Sequence, residues 1–173
     1  MNNASQIANL FSLPVKLIFT DLDGSLLDHH SYSFQPAATM LAELEQRGIP
    51  VIPITSKTKV ELLPLRNQLN NPHPFIIENG AAIYIPCGYF SQQPKNSKTV
   101  DDFWVLENAA SRSTWQTLLD SQAAEFSAEY QTFDSAFREH GAEGITQLTG
   151  LNHHLATLAN QRDYSEPVHW TGT

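Results

Sequence analysis

Apolar residues come in short runs through the first half of the chain, with helical spacing between the runs. Residues 15–20, Val-Lys-Leu-Ile-Phe-Thr, are apolar nearly throughout, the pattern of a parallel strand buried on both faces. Residues 35–47 predict a helix: Leu41 and Leu44 share helical spacing, Pro36 suits the first turn and Gly48 ends it. Residues 50–54 form a second apolar run. Pro53 removes a ladder donor there and predicts a strand edge or a bulge. A second helix is expected over residues 57–69, kinked at Pro64, then a third strand over 75–77. Residues 81–85 continue as a strand, so Asn79-Gly80 predicts a hairpin turn. Strand–helix–strand–helix–strand predicts an α/β fold with parallel strands joined by right-handed crossovers.

Beyond Pro86 the texture changes. Residues 88–102 are polar and without period, and mark the exit from the first layer. Residues 103–106 predict a strand. Residues 111–125 predict a helix with Trp115, Leu118, Leu119 and Gln122 along one side. A strand over 130–133 and helices over 141–149 and 152–160 follow, with Asn152 a good N-cap. Residues 161–167 form a polar loop with one arginine, and 168–170 begin something strand-like.

The first run ends in Asp21, Asp23, Gly24 and Ser25. In open α/β sheets ligands bind outside the C-terminal ends of the strands. Two carboxylates this close repel unless a cation sits between them or one holds a proton. An all-oxygen pair suits Mg²⁺. Asp21, first off the strand, is the natural nucleophile for phosphoryl transfer. Asp23 can protonate the leaving oxygen and then deprotonate the attacking water. Mg²⁺ would take the Asp21 carboxylate and the backbone carbonyl of Asp23. Thr55, Ser56 and Lys57 end the second strand with hydroxyls and an ammonium, a set that can hold phosphate. Helix capping by Thr55 or Ser56 is compatible with that role. Adjacent His29 and His30 make a poor chelate on a regular element and read as a polar flap; His153 and His154 read as solvated surface.

Composition narrows the partners. The 173 residues carry 41% apolar side chains and a net charge of −8. That supports a packed core and argues against nucleic-acid and anionic membrane partners. It leaves room for a small phosphorylated substrate, because local N–H groups and a cation set the field inside a site. Cys87 is the single cysteine; with no disulfide, no signal-like start and no membrane-length apolar run, the cytoplasm is the expected compartment. Nothing here fixes an oligomeric state.

Asp21-Leu22-Asp23-Gly24-Ser25-Leu26-Leu27 resembles the first signature of the haloacid dehalogenase-like hydrolases, and Thr55 matches the second. Residues 28–32, 55–58, 75–81 and above all 161–167, Gln-Arg-Asp-Tyr-Ser-Glu-Pro, are similar to the mannosyl-3-phosphoglycerate phosphatase family. The resemblance implies a Rossmann-like core over residues 1–87, holding the first three core strands, and the first part of an α+β cap over 88–173. It implies a Mg²⁺-dependent phosphoric monoester hydrolase that converts mannosyl-3-phosphoglycerate to mannosylglycerate. It makes Asn79, Gly80, Arg162, Ser165 and Glu166 substrate-binding, with arginine's planar fork suited to a carboxylate. The family's later lysine and its Gly-Asp-Gly-x-x-Asn-Asp segment do not occur in these residues. The resemblance is therefore to a C-terminally shortened chain, with one edge of the first strand unpaired. A phosphate-binding module without turnover, and a phosphotransferase or mutase, stay open beside the phosphatase.

Overall fold

The computed structural model describes residues 16–29 and 31–172. The expectations for residues 1–15 and for His30 lie outside them. The contacts divide the chain into two compact units, Met1–Pro53 and Ile54–Thr173.

In the first unit, β1 (Ile18–Thr20) pairs in parallel with β2 (Val51–Pro53), Ile18 opposite Val51 and Thr20 opposite Pro53. Pro53 closes the ladder at its last rung, where a missing N–H costs least. Helix α1 (Gln35–Gln46) connects the two strands, with Pro36 in its first turn. It ends as Gly48 predicts. Gly48 takes φ +65°, its N–H reaches Glu45 O at 2.9 Å, and Ile49 N–H reaches Leu44 O at 2.9 Å. Those are the two bonds of a Schellman stop.

One expectation needs correction here. The first strand was expected to be buried on both faces, yet Ile18 and Phe19 are 38% and 57% exposed while all of β2 is buried. Among the described residues β1 has a strand partner on one edge only, and its Ile18 and Phe19 side chains stay open to solvent.

In the second unit, β3 (Phe75–Ile77), β4 (Ala82–Pro86), β5 (Lys98–Val100) and β6 (Phe103–Glu107) form one antiparallel sheet in the order β3-β4-β6-β5. The third strand, expected in a parallel layer, thus joins an antiparallel one. The turn at Glu78–Gly80 sends the chain straight back beside β3. Among the described residues of this unit, the parallel contact is a bridge between Ile54 and Ile76. β5 lies inside the stretch that read as polar loop; it is short and charged, as edge strands often are.

Phe75 and Tyr84 stack at 5.2 Å within the sheet, and Phe103 meets both edge-on. Helix α2 (Lys59–Gln68) runs unbroken across Pro64. It holds the Arg66 guanidinium 4.3 Å from the Phe75 ring centre while that group donates to His73 O at 2.6 Å.

The rest of the unit is α3 (Arg112–Gln122), β7 (Tyr130–Thr132), α4 (Phe133–His140), α5 (Ala142–Thr149), α6 (His153–Ala159) and β8 (Val168–Trp170), which pairs antiparallel with β7. Ala136, Ile145 and Ala156 make the small core of α4, α5 and α6. A Cβ on Gly144 would lie 2.3 Å from Ala136 O, so these helices approach this closely only over glycine. No helix among the described residues is long and apolar enough to cross a membrane.

Candidate functional site

The aspartate loop belongs to the first unit. It leaves the C-terminal end of β1 and folds on itself. Leu27 N–H donates to Leu22 O at 2.8 Å, Ser25 N–H to Leu22 O at 3.2 Å, and Gly24 N–H to Leu27 O at 3.1 Å. Gly24 takes φ +74°, which lets the chain turn between the two carboxylates and Ser25. Leu22 is fully buried and pins the loop, while Asp21 and Asp23 on either side of it are exposed. Alternation thus turns one apolar side chain inward and two carboxylates outward. Asp28 closes the following turn by accepting from Ser31 N–H and Oγ at 2.8 and 2.7 Å.

The second unit brings together three segments that lie far apart in sequence. Residues 55–57 are held by their backbone: Thr55 N–H donates to Ile76 O at 3.1 Å, Asn79 N–H to Thr55 O at 2.9 Å, and Glu78 N–H to Lys57 O at 3.1 Å. Thr55 is buried, and its Oγ1 accepts from Lys57 N–H at 3.2 Å; Ser56 is exposed. The N-cap of α2 is Thr58, not Thr55 or Ser56. Thr58 makes a full capping box with Glu61 and also donates to Leu158 O on α6 at 3.2 Å. The alternative reading of Thr55 or Ser56 as the helix cap is thus replaced by Thr58.

Glu78 is the residue that sequence reasoning left without a role. It follows β3 at φ +47°, Asn79 follows at +60° and Gly80 at +93°. Three left-handed residues in a row turn the Glu78 side chain inward, where it is fully buried. Its carboxylate accepts from Asp163 N–H at 2.9 Å, Tyr164 N–H at 3.2 Å and Ser165 Oγ at 2.6 Å. The arginine loop is thus folded around one buried acid.

Arg162 Nε donates to Ser165 Oγ at 2.8 Å and lies 3.6 Å from Glu78, and another of its N–H groups donates to Ser56 O at 2.6 Å. Burial pulls its pKa below the ordinary value, and the Glu78 carboxylate opposes that shift. Arg162 therefore joins the predicted substrate loop to the predicted phosphate-binding segment.

The Glu166 side chain, expected to touch substrate, is fully buried and turned to protein partners instead. It pairs with Arg112 and accepts from Gln116 Nε2 at 2.9 Å and Asp134 N–H at 3.0 Å. Arg112 also donates to Asn160 O and Oδ1 at 2.6 and 2.8 Å. Its role had no local signal, because every partner is distant in sequence.

A family model for haloacid dehalogenase-like hydrolases matches residues 18–139, most of the chain. The chain belongs to the haloacid dehalogenase-like hydrolases. Curated relatives in that family are similar along most of it. A glucosyl-3-phosphoglycerate/mannosyl-3-phosphoglycerate phosphatase of Methanococcoides burtonii is 37% identical over 150 residues, covering 87% of this chain and 54% of that protein. A protein of the same description from Persephonella marina is 33% identical over 151 residues, 87% of this chain and 54% of its own length. A mannosyl-3-phosphoglycerate phosphatase of Pyrococcus furiosus is 34% identical over 154 residues, 89% of this chain and 60% of its own. The chain spans little more than half the length of these relatives.

Within this hydrolase fold, the donor chemistry of the aspartate loop fits a hard cation. Asp21 and Asp23 offer carboxylate oxygens, and Mg²⁺ commonly takes one or two carboxylates and keeps several waters. Among the described residues no group of three His, Cys, Asp or Glu side chains forms a cluster able to hold a metal. The Asp21 carboxylate and the Asp23 backbone carbonyl are what the loop would supply to a hydrated Mg²⁺.

Proposed function

We propose that this hydrolase removes phosphate from a glycosyl-3-phosphoglycerate, in the manner of a mannosyl-3-phosphoglycerate phosphatase, in the cytoplasm. The observation that carries the reading is the Asp21-Leu22-Asp23 loop. It presents two exposed carboxylates at the C-terminal end of a parallel strand, in a chain 33% to 37% identical to phosphatases of that specificity. Asp21 attacks phosphorus and forms an aspartyl-phosphate. Asp23 gives its proton to the leaving glycerate oxygen, then takes one from the water that opens the intermediate. Asp21 and the Asp23 carbonyl would hold Mg²⁺, which when bound neutralises charge on the phosphoryl oxygens.

Thr55, Ser56 and Lys57 bind the phosphate with two hydroxyls and an ammonium. Asn79, Gly80, Arg162 and Ser165 take the remainder of the substrate, and Glu166 orders that loop through Arg112. In this reading residues 1–87 carry the phosphoryl chemistry, and residues 88–173 select the substrate together with Asn79 and Gly80.

The test is release of inorganic phosphate from mannosyl- and glucosyl-3-phosphoglycerate with Mg²⁺ present. Turnover that falls by at least about a thousandfold in Asp21→Asn, and is lost with a chelator, supports the reading. Release that Asp21→Asn leaves unchanged overturns it. Phosphate found on an acceptor instead of free in solution would make the protein a phosphotransferase. Calorimetric binding of substrate with no release would make it a phosphate-binding module.

A further inference from the structure

A cavity of about 740 Å³ lies wholly within the second unit, bounded by the Glu78–Gly80 turn, one side of α3 and the start of β8. Its size falls within the range of small-molecule sites, roughly 300–1,000 Å³. Trp115 and Leu118 line it from α3 and are 39% and 43% exposed, large apolar groups left open to solvent. The indole is fixed in place, since Trp115 Nε1 donates to Tyr164 O at 2.8 Å.

Three primary amides line the same space: Asn79, Asn108 and Gln122. Asn108 Nδ2 donates to Gly80 O at 3.2 Å, which orients its carbonyl.

The charged groups in the lining decide what can bind. They are Glu78 and Glu166, both carboxylates, and neither Lys nor Arg is among the lining residues. Both are fully buried and already satisfied, Glu78 by the arginine loop and Glu166 by Arg112 and Gln116. Each carboxylate is matched by an arginine that is not itself in the lining, so a phosphate or a carboxylate entering here would lose its hydration without meeting a cation free to pair with it. A neutral molecule with an apolar face and many hydroxyls meets the opposite. The indole offers a flat apolar surface, and each amide both donates and accepts.

We propose that this cavity binds the neutral pyranose ring of the substrate, stacked on Trp115, with its hydroxyls bonded to Asn79, Asn108 and Gln122. Identifying that ring as part of a substrate rests on the phosphatase reading; the cavity's preference for a neutral sugar does not. The charged end of the molecule falls to other residues.

The test is ligand-observed saturation-transfer NMR on the full chain. The probes are methyl α-D-mannopyranoside and methyl α-D-glucopyranoside, with 3-phosphoglycerate and inorganic phosphate as sugar-free controls. The sugars receive saturation from the parent protein. Their dissociation constants rise about tenfold or more in Trp115→Ala and in Gln122→Leu, and Trp115→Phe restores part of the loss. Gln122 ends α3 at an exposed position, so its variant keeps the fold. No saturation transfer to either sugar in the parent, or unchanged constants in both variants, overturns the proposal. Failure here alongside Asp21-dependent phosphate release leaves the phosphatase standing and moves its sugar elsewhere. Sugar binding that responds to Trp115 in a chain releasing no phosphate retains the cavity and removes the phosphatase.

Discussion

Glu78 shows how one side chain can set a site. It accepts three hydrogen bonds from the arginine loop and sits beside Arg162, and all of these groups are shielded from water. Glu78→Ala strands two backbone N–H groups, a hydroxyl and a buried guanidinium together. Breaking a buried pair in this way costs about 3–5 kcal/mol, to be read from urea midpoints. Its neighbour Asp163 works in the opposite direction. Burial first, then the Glu78 charge, raises the Asp163 carboxyl above its ordinary 3.8. The folded state then binds that proton more tightly than the unfolded chain does. Stability contributed by Asp163 therefore falls as pH rises from 3.8 through the raised value. Asp163→Asn removes that slope: its stability relative to the parent increases as pH rises from 3.8 and levels off above the raised value. A difference between variant and parent that does not change with pH would contradict this. The aspartate loop was legible in the sequence, because an apolar run ending in Asp-x-Asp-Gly states its own geometry. Glu78 was not, because its partners begin 85 residues further along the chain and its left-handed backbone is a property of the fold.

Elements were legible where the signal is local. α1 stops where Gly48 says it should, and α6 starts at Asn152, whose side chain accepts from Leu155 N–H at 3.0 Å. α4 went unread because β7 runs straight into it without an intervening polar stretch, its Thr132–Ser135 capping box sitting on the last strand residue. The burial of the first strand was misread because an apolar run states what a segment can bury, not what arrives to cover it. Thr58 is the element-scale lever. It caps α2 and also donates to α6, and it is fully buried. Thr58→Ala loses the cap and leaves Leu158 O without that donor, a cost of about 1–2 kcal/mol by thermal or urea unfolding. Thr58→Ser, which retains the hydroxyl, recovers most of it.

At the scale of the molecule, order should be uneven. Among the described residues β6 is paired on both edges and Val105 within it is buried, whereas β1 is paired on one edge and carries exposed Ile18 and Phe19. Native-state hydrogen exchange should protect the Val105 amide far more strongly than that of Phe19, since local opening follows burial and pairing; equal protection would count against this picture. The Glu78 clasp has a consequence in time as well. Its bonds join residues 85 to 87 positions apart, so closing the loop between them carries an entropic cost before any bond rewards it. Such contacts form late on the path to the native state. The clasp then acts chiefly as a brake on unfolding. In stopped-flow experiments, loss of the Glu78 carboxylate would appear as a faster exit from the native state, with refolding little changed.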